Sequence, residues 1–214
     1  IACLVGSEMC IRDRSNLNGN FVFETNEFLQ EDMIDYGTGS IPKFVDIDGD
    51  GLTDMFIAHF FAYKPVLSKE SRVAYYKNTG TLNSPEFTLI DKDFQNLSSL
   101  NVGLRMVPAF GDINGDSKID MFLGLEDGTL VYFENNSTGS SLTFSAPVYN
   151  YTDNNGNLIH HGLYATPQFF DLNKDGLLDL IFGVKTGEII YYQNTGSASN
   201  PEFTLVTSLL GGID

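Results

Sequence analysis

Apolar residues in this chain come in short runs, each closed by Gly, Asn, Asp or Pro. Three of these runs are near copies: Met55-Phe-Ile-Ala58, Met121-Phe-Leu-Gly124 and Leu180-Ile-Phe-Gly183. An aromatic run follows each one: Val73-Ala-Tyr-Tyr76, Leu130-Val-Tyr-Phe133 and Ile189-Ile-Tyr-Tyr192. Pro-x-Phe precedes each one, as Pro42-Lys-Phe44, Pro108-Ala-Phe110 and Pro167-Gln-Phe169. A closing segment reads Asn78-Thr-Gly80 to Pro85-Glu-Phe-Thr-Leu89 in the first copy and Asn194-Thr-Gly196 to Pro201-Glu-Phe-Thr-Leu205 in the third. The middle copy is looser there, with Asn135-Asn-Ser-Thr-Gly139 and then Leu142-Thr-Phe144. Runs this short, rich in β-branched and aromatic residues, predict strands. Only Glu24–Ile34 carries a weak helical period. The pattern predicts an all-β chain.

Between the Pro-x-Phe element and the apolar run lies the same acidic loop each time. It reads Asp46-Ile-Asp-Gly-Asp-Gly-Leu-Thr-Asp54, Asp112-Ile-Asn-Gly-Asp-Ser-Lys-Ile-Asp120 and Asp171-Leu-Asn-Lys-Asp-Gly-Leu-Leu-Asp179. A repeat of four short antiparallel strands, about 60 residues long, matches one β-propeller blade. A blade leaves sheet faces exposed unless neighbours stack on it. A β-sandwich is the competing all-β architecture, but it does not require one loop before one strand in every unit. The expected organisation is 15–41 as the end of a preceding repeat, then blades at 42–107, 108–166 and 167–214, the last running into the start of a further repeat. Phe21-Val-Phe23 is read as a closing strand, and extra residues around Phe60 to Ser71 as a loop insertion.

Oxygen-only donors at loop positions 1, 3 and 5 suit a hard divalent cation such as Ca²⁺. The expected ligands are Asp46, Asp48, Asp50 and Asp54, then Asp112, Asn114, Asp116 and Asp120, then Asp171, Asn173, Asp175 and Asp179. The main-chain carbonyls of Leu52, Lys118 and Leu177 would complete the three shells at position 7. An EF-hand shares positions 1, 3, 5 and 7 but needs a Glu at position 12 and flanking helices. Position 12 here is Ile57, Leu123 or Phe182, and the flanks read as strands. A solvated Asp/Asn/Gly turn is the bland alternative, and three phased copies weigh against it. With four carboxylates, loop 46–54 is expected to bind most tightly. Loop 112–120 is expected to be the weakest, since Ser117 in place of Gly costs on the order of 1 kcal/mol in a left-handed conformation.

The loop after Pro-x-Phe, together with Asn-Thr-Gly after a double aromatic, resembles FG-GAP/VCBS-type repeats. The resemblance covers about residues 19–214, and Ser117 and Lys174 depart from its loop pattern. It implies a calcium-binding β-propeller of the kind found in integrin α-subunit heads and secreted bacterial proteins. It also implies a secreted or cell-surface module that binds a protein or carbohydrate ligand or serves adhesion, without catalysis. The alternative is the propeller portion of a secreted enzyme acting on polysaccharide or phospholipid.

Charge narrows the partners. The 214 residues carry a formal net charge of −16, the wrong sign for a nucleic-acid surface. The three loops hold ten of the 28 acidic residues, and three bound divalent ions would bring the charge to −10 (−16 + 6). Cys3 and Cys10 are the only cysteines, which leaves the rest without a disulfide framework. No apolar run reaches transmembrane length. Residues 1–14 read as translated adapter sequence, with a signal-peptide tail or linker as the alternative, and the missing initiator Met suggests a fragment.

Neither a nucleophile elbow nor a phosphate loop is visible. His160 and His161 are expected on a solvated loop, and His59 as a packing residue. Alternation should place one tyrosine of each pair, Tyr75-Tyr76 and Tyr191-Tyr192, in the core. The other could then face a sugar. Sequons at Asn96, Asn135, Asn136 and Asn150 matter only in a eukaryotic secretory host.

Overall fold

The computed structural model describes residues 3–5, 8–10, 39–60, 71–138 and 141–212. The chain divides into two compact units, Ile1–Asp35 and Tyr36–Asp214. In the first, strands β1 (Cys3–Val5) and β2 (Glu8–Cys10) pair antiparallel, with Cys3 opposite Cys10. Phe21-Val-Phe23, the helical hint at Glu24–Ile34 and most of the Phe60–Ser71 insertion lie outside the described residues.

The second unit is all-β and repeats itself. Its first sheet runs β3 (Ile41–Val45), β4 (Asp54–His59), β5 (Arg72–Asn78) and β6 (Phe87–Asp91), each strand antiparallel to the next. The second has β7 (Met106–Gly111), β8 (Asp120–Leu125) and β9 (Leu130–Phe133). The third runs β10 (Thr166–Phe170), β11 (Asp179–Gly183), β12 (Ile189–Asn194) and β13 (Phe203–Thr207). These sheets are the propeller-like blades that the repeat predicts.

The middle blade closes differently. Its fourth edge is reduced to isolated bridges, Tyr132 to Val148 and Asn135 to Phe144. Pro147 has no N–H to give the ladder. Nearby, the Glu134 amide donates to the Ser145 hydroxyl at 3.0 Å.

Burial explains the continuous apolar runs. All six positions of β4 and of β8 are buried, because these inner strands are covered on both faces. Outer strands β3 and β6 alternate or lie exposed. The expectation that one tyrosine of each pair is buried is corrected here: Tyr75, Tyr76, Tyr191 and Tyr192 are all buried. The third strand of a blade is also covered on both faces, with Tyr75 in one apolar cluster and Tyr76 in another.

Aromatic rings join successive blades at equivalent positions. Phe56 of β4 meets Phe110 of β7 with ring centroids 4.5 Å apart, and Phe122 of β8 meets Phe169 of β10 at 5.0 Å. The Phe of Pro-x-Phe therefore packs on the second strand of the blade before it. Among the described residues no helix is long and apolar enough to cross a membrane.

Candidate metal centre

Each acidic loop joins the first strand of a blade to the second, and each is shaped by its own side chains. The position-1 carboxylate accepts main-chain N–H groups from the far side of the turn. Asp46 takes Gly49 and Gly51, both at 2.9 Å, as well as Asp50. Asp112 takes Gly115 at 2.7 Å and Ser117 at 3.0 Å, and Asp171 takes Asp175 and Gly176. Position 3 accepts from the amide of position 5, and position 5 from the amide of position 7, in all three loops. Asx turns of this kind are what Asp and Asn offer a tight turn. The loop fold is thus written into the residue types.

Two non-glycine residues stand in left-handed conformation there, Ser117 (φ 68°) and Lys174 (φ 63°). At Gly115 (φ +72°) there is no room for a side chain, since a Cβ would come within 2.7 Å of the Ala198 carbonyl oxygen. That contact comes from the turn of the following repeat.

The position-9 aspartates stand where each loop enters the second strand of its blade. Asp54, Asp120 and Asp179 are fully buried. One oxygen of each accepts a main-chain N–H from the third strand or its end: Asn78 at 2.8 Å, Asn135 at 2.8 Å and Asn194 at 2.9 Å. The other accepts a tyrosine hydroxyl: Tyr75 at 3.1 Å, Tyr132 at 3.1 Å and Tyr191 at 3.0 Å. The Asp120 and Asp179 carboxylates also take the amides of Ile113 and Leu172. Burial raises the pKa of Asp54 and of Asp120 above the usual carboxylate value. The Tyr191 phenol is pushed up to about 12, chiefly by burial and then by Asp179, so it stays a donor. Asn78 and Asn194 extend the network, each side-chain oxygen accepting two amides of the turn beyond it.

The open side of loop 46–54 is a cluster. The carboxylates of Asp46, Asp48 and Asp50 have oxygens within 4.8 Å of one another. Among the described residues no other group of three His, Cys, Asp or Glu side chains comes so close. The Lys77 ammonium, reaching over from β5, donates to both Asp48 and Asp50, the latter at 2.8 Å. The Lys77 contact holds Asp50 below the usual carboxylate range, and the two aspartates raise the Lys77 pKa. In the same strand position the later blades carry Glu134 and Gln193. Glu134 accepts from the Asn114 side chain at 3.4 Å, and the Gln193 side chain lies near Asp175.

These donor sets fit a hard cation. They are all oxygen, they are pre-folded by the loop's own amides, and in loop 46–54 a cationic ammonium already lies between two of the carboxylates. Of the expected ligands, the structure brings the side chains of positions 1, 3 and 5 onto one tight turn. It turns the position-9 carboxylates inward as anchors between strands. Those anchors have partners that sequence reasoning missed: Tyr75, Tyr132 and Tyr191, and Asn78, Asn135 and Asn194. The signal was present in the internal alignment, where Tyr-aromatic-x-Asn recurs in every copy.

Away from the loops, His160 is exposed and its Nε2 lies 2.9 Å from the Asp127 carbonyl oxygen. The expectation of a solvated loop fails at His161, which packs against Phe182 and Tyr192 and meets the Tyr192 hydroxyl at 2.7 Å. His59 is 1% exposed and so lies deep in the core.

Against known proteins, the family model described as FG-GAP-like repeat matches residues 46–123 and 112–182. The two matches together span well over half of the 214 residues and take in all three loops. No curated protein and no solved structure matches the chain.

Proposed function

The chain belongs to the FG-GAP-like repeat family, and from that membership we propose that it is a calcium-stabilised binding module working outside the cell. The observation that carries the reading is the convergence of Asp46, Asp48 and Asp50 oxygens on a loop already folded around them. Side-chain oxygens at positions 1, 3 and 5 and the carbonyl at position 7 would hold Ca²⁺ in each loop: Asp46, Asp48, Asp50 and Leu52; Asp112, Asn114, Asp116 and Lys118; Asp171, Asn173, Asp175 and Leu177. Asp54, Asp120 and Asp179 support each shell from below by fixing where the loop enters the next strand. A bound calcium ion neutralises carboxylates that otherwise repel by about 1 kcal/mol per close pair in water.

Extracellular calcium modules bind at about 10⁻⁴ to 10⁻³ M, so such loops are useful where Ca²⁺ is millimolar. The partner is a protein or carbohydrate ligand, met in adhesion or capture without catalysis. The acidic surface turns nucleic acid away. Calcium titration followed by thermal unfolding tests the reading. The melting temperature should climb with Ca²⁺ and fall back on chelation, and a melting temperature indifferent to both would sink it.

A further inference from the structure

We propose that Lys77 is a built-in competitor for the cation of loop 46–54, so that this loop, the richest in carboxylates, is not the tightest calcium site. The inference rests on the calcium reading above and concerns which residue sets the affinity of each loop.

Lys77 comes from β5, on the far side of β4 from the loop's own strand β3, and reaches the loop from outside it. Its ammonium donates to Asp48 and Asp50 together. The side chain of Asp48 beneath it is only 8% exposed, while that of Lys77 is 31% exposed. The ammonium therefore occupies the space between two of the three carboxylates that would hold a divalent ion. Calcium can enter only by displacing it and then faces a positive charge tethered a few ångströms away. The open side of loop 46–54 carries Asp46, Asp48, Asp50 and Lys77, a net charge of −2.

The other loops differ at this one position. Glu134 adds a carboxylate beside Asn114 in the second, and Gln193 adds a neutral amide beside Asp175 in the third. Lys118 also pairs with Asp116, at 3.5 Å and to one carboxylate only. It touches the rim of its loop and does not bridge two ligands. The residue between the aromatic pair and the Asn thus selects lysine, glutamate or glutamine for each loop. A lysine there also explains how three carboxylates share one turn without a metal, since the chain carries the neutralising charge.

Lys77→Gln and Lys77→Glu convert the position to what the third and second blades have. Calorimetric calcium titration and thermal unfolding, each with and without chelator, read the outcome on the full chain. In chelator, Lys77→Gln should melt below wild type because the three carboxylates lose their counter-charge. In excess Ca²⁺ the order should reverse, and the affinity of one site should rise about tenfold. Adding Asp50→Asn to Lys77→Gln should cancel that gain, which assigns it to loop 46–54. If wild type binds calcium but Lys77→Gln melts lower by the same amount in both buffers, with no site strengthened, Lys77 is an ordinary ion pair and the inference fails alone. If neither wild type nor any variant responds to calcium, the calcium reading itself fails. A response gained only in the variants would mean that the other two loops bind no calcium in the wild type, and would overturn the ranking of the loops.

Discussion

The Tyr132 hydroxyl lies 3.1 Å from the Asp120 carboxylate, which is fully buried at the start of β8. The same pair recurs as Tyr75–Asp54 and Tyr191–Asp179. A buried carboxylate needs its donors, and removing one leaves an unsatisfied charge at a cost of about 1–3 kcal/mol. Tyr132→Phe should therefore destabilise the protein by that amount in urea unfolding. The loss should be equal in calcium and in chelator, because the pair works between strands and not on the ion. A loss seen only in calcium would move Asp120 into the metal shell.

Asp50→Asn and Asp54→Ala should separate binding from anchoring. The first keeps an oxygen for the Leu52 amide, bonded at 2.9 Å in the native loop, and should lose most of its loop's calcium-induced stabilisation. That stabilisation is roughly 1.4 kcal/mol per site at tenfold excess over the dissociation constant. The second strands the Asn78 amide and the Tyr75 hydroxyl, and should lower stability by about 1–3 kcal/mol even in chelator. Melting curves of both variants in the two buffers give the comparison.

Ser117 holds φ at 68°, where a side chain costs on the order of 1 kcal/mol. Ser117→Gly removes that strain, while glycine's freedom in the unfolded chain takes part of the gain back. The melting temperature should rise by about 1–3 °C. Gly115→Ala should act in the opposite direction, since its Cβ would meet the Ala198 carbonyl oxygen at 2.7 Å. Equal melting temperatures for the two variants would remove strain as the reason for the sequence departure at 117.

Burial lowers the pKa of His161 below its ordinary 6.5, with His160 adding to the effect. The unfolded chain then takes up the proton first. The stability held by neutral His161 is complete above 6.5 and is lost as pH falls from 6.5 toward the folded value. His59, also lowered by burial, pulls the same way. His161→Gln should flatten the acid-side slope of the urea midpoint between about pH 5 and 7 and leave the part due to His59. An unchanged slope would show that His161 titrates as it does in the unfolded chain.

The blades and loops were legible in the sequence because each is fixed by short-range rules. Strand length, turn residues and the Asx ladder of Asp46 or Asp171 depend on residues within a single turn. The two-sided burial of Tyr75 and Tyr76 was not legible, because alternation describes one sheet and says nothing about a second covering layer. Spacing places Asp54 at the end of its loop but does not show what else it holds. Its role depends on Tyr75 and Asn78, 21 and 24 positions away. Lys77 was hidden for the same reason: only the pairing of β4 with β5 brings it near Asp48. The closing edge of the middle blade was visibly irregular, but that Pro147 and Ser145 would leave only bridges depends on three-dimensional pairing.

Position 2 of one loop and position 8 of the next share an interface. Ile47 is buried in the cluster against which Ile119 packs, and Ile113 in the cluster against which Leu178 packs. A Cβ on Gly111 would touch both Leu178 and Ile113, at 2.9 and 3.2 Å. Leu172, the matching position of the third loop, is 39% exposed. The loops therefore overlap in one direction, like tiles laid along a slope. Because each contact is mutual, loosening one loop takes packing from the loop before it and from the loop after it. An array built from near-identical units thus has a direction, set by unlike positions meeting at every junction.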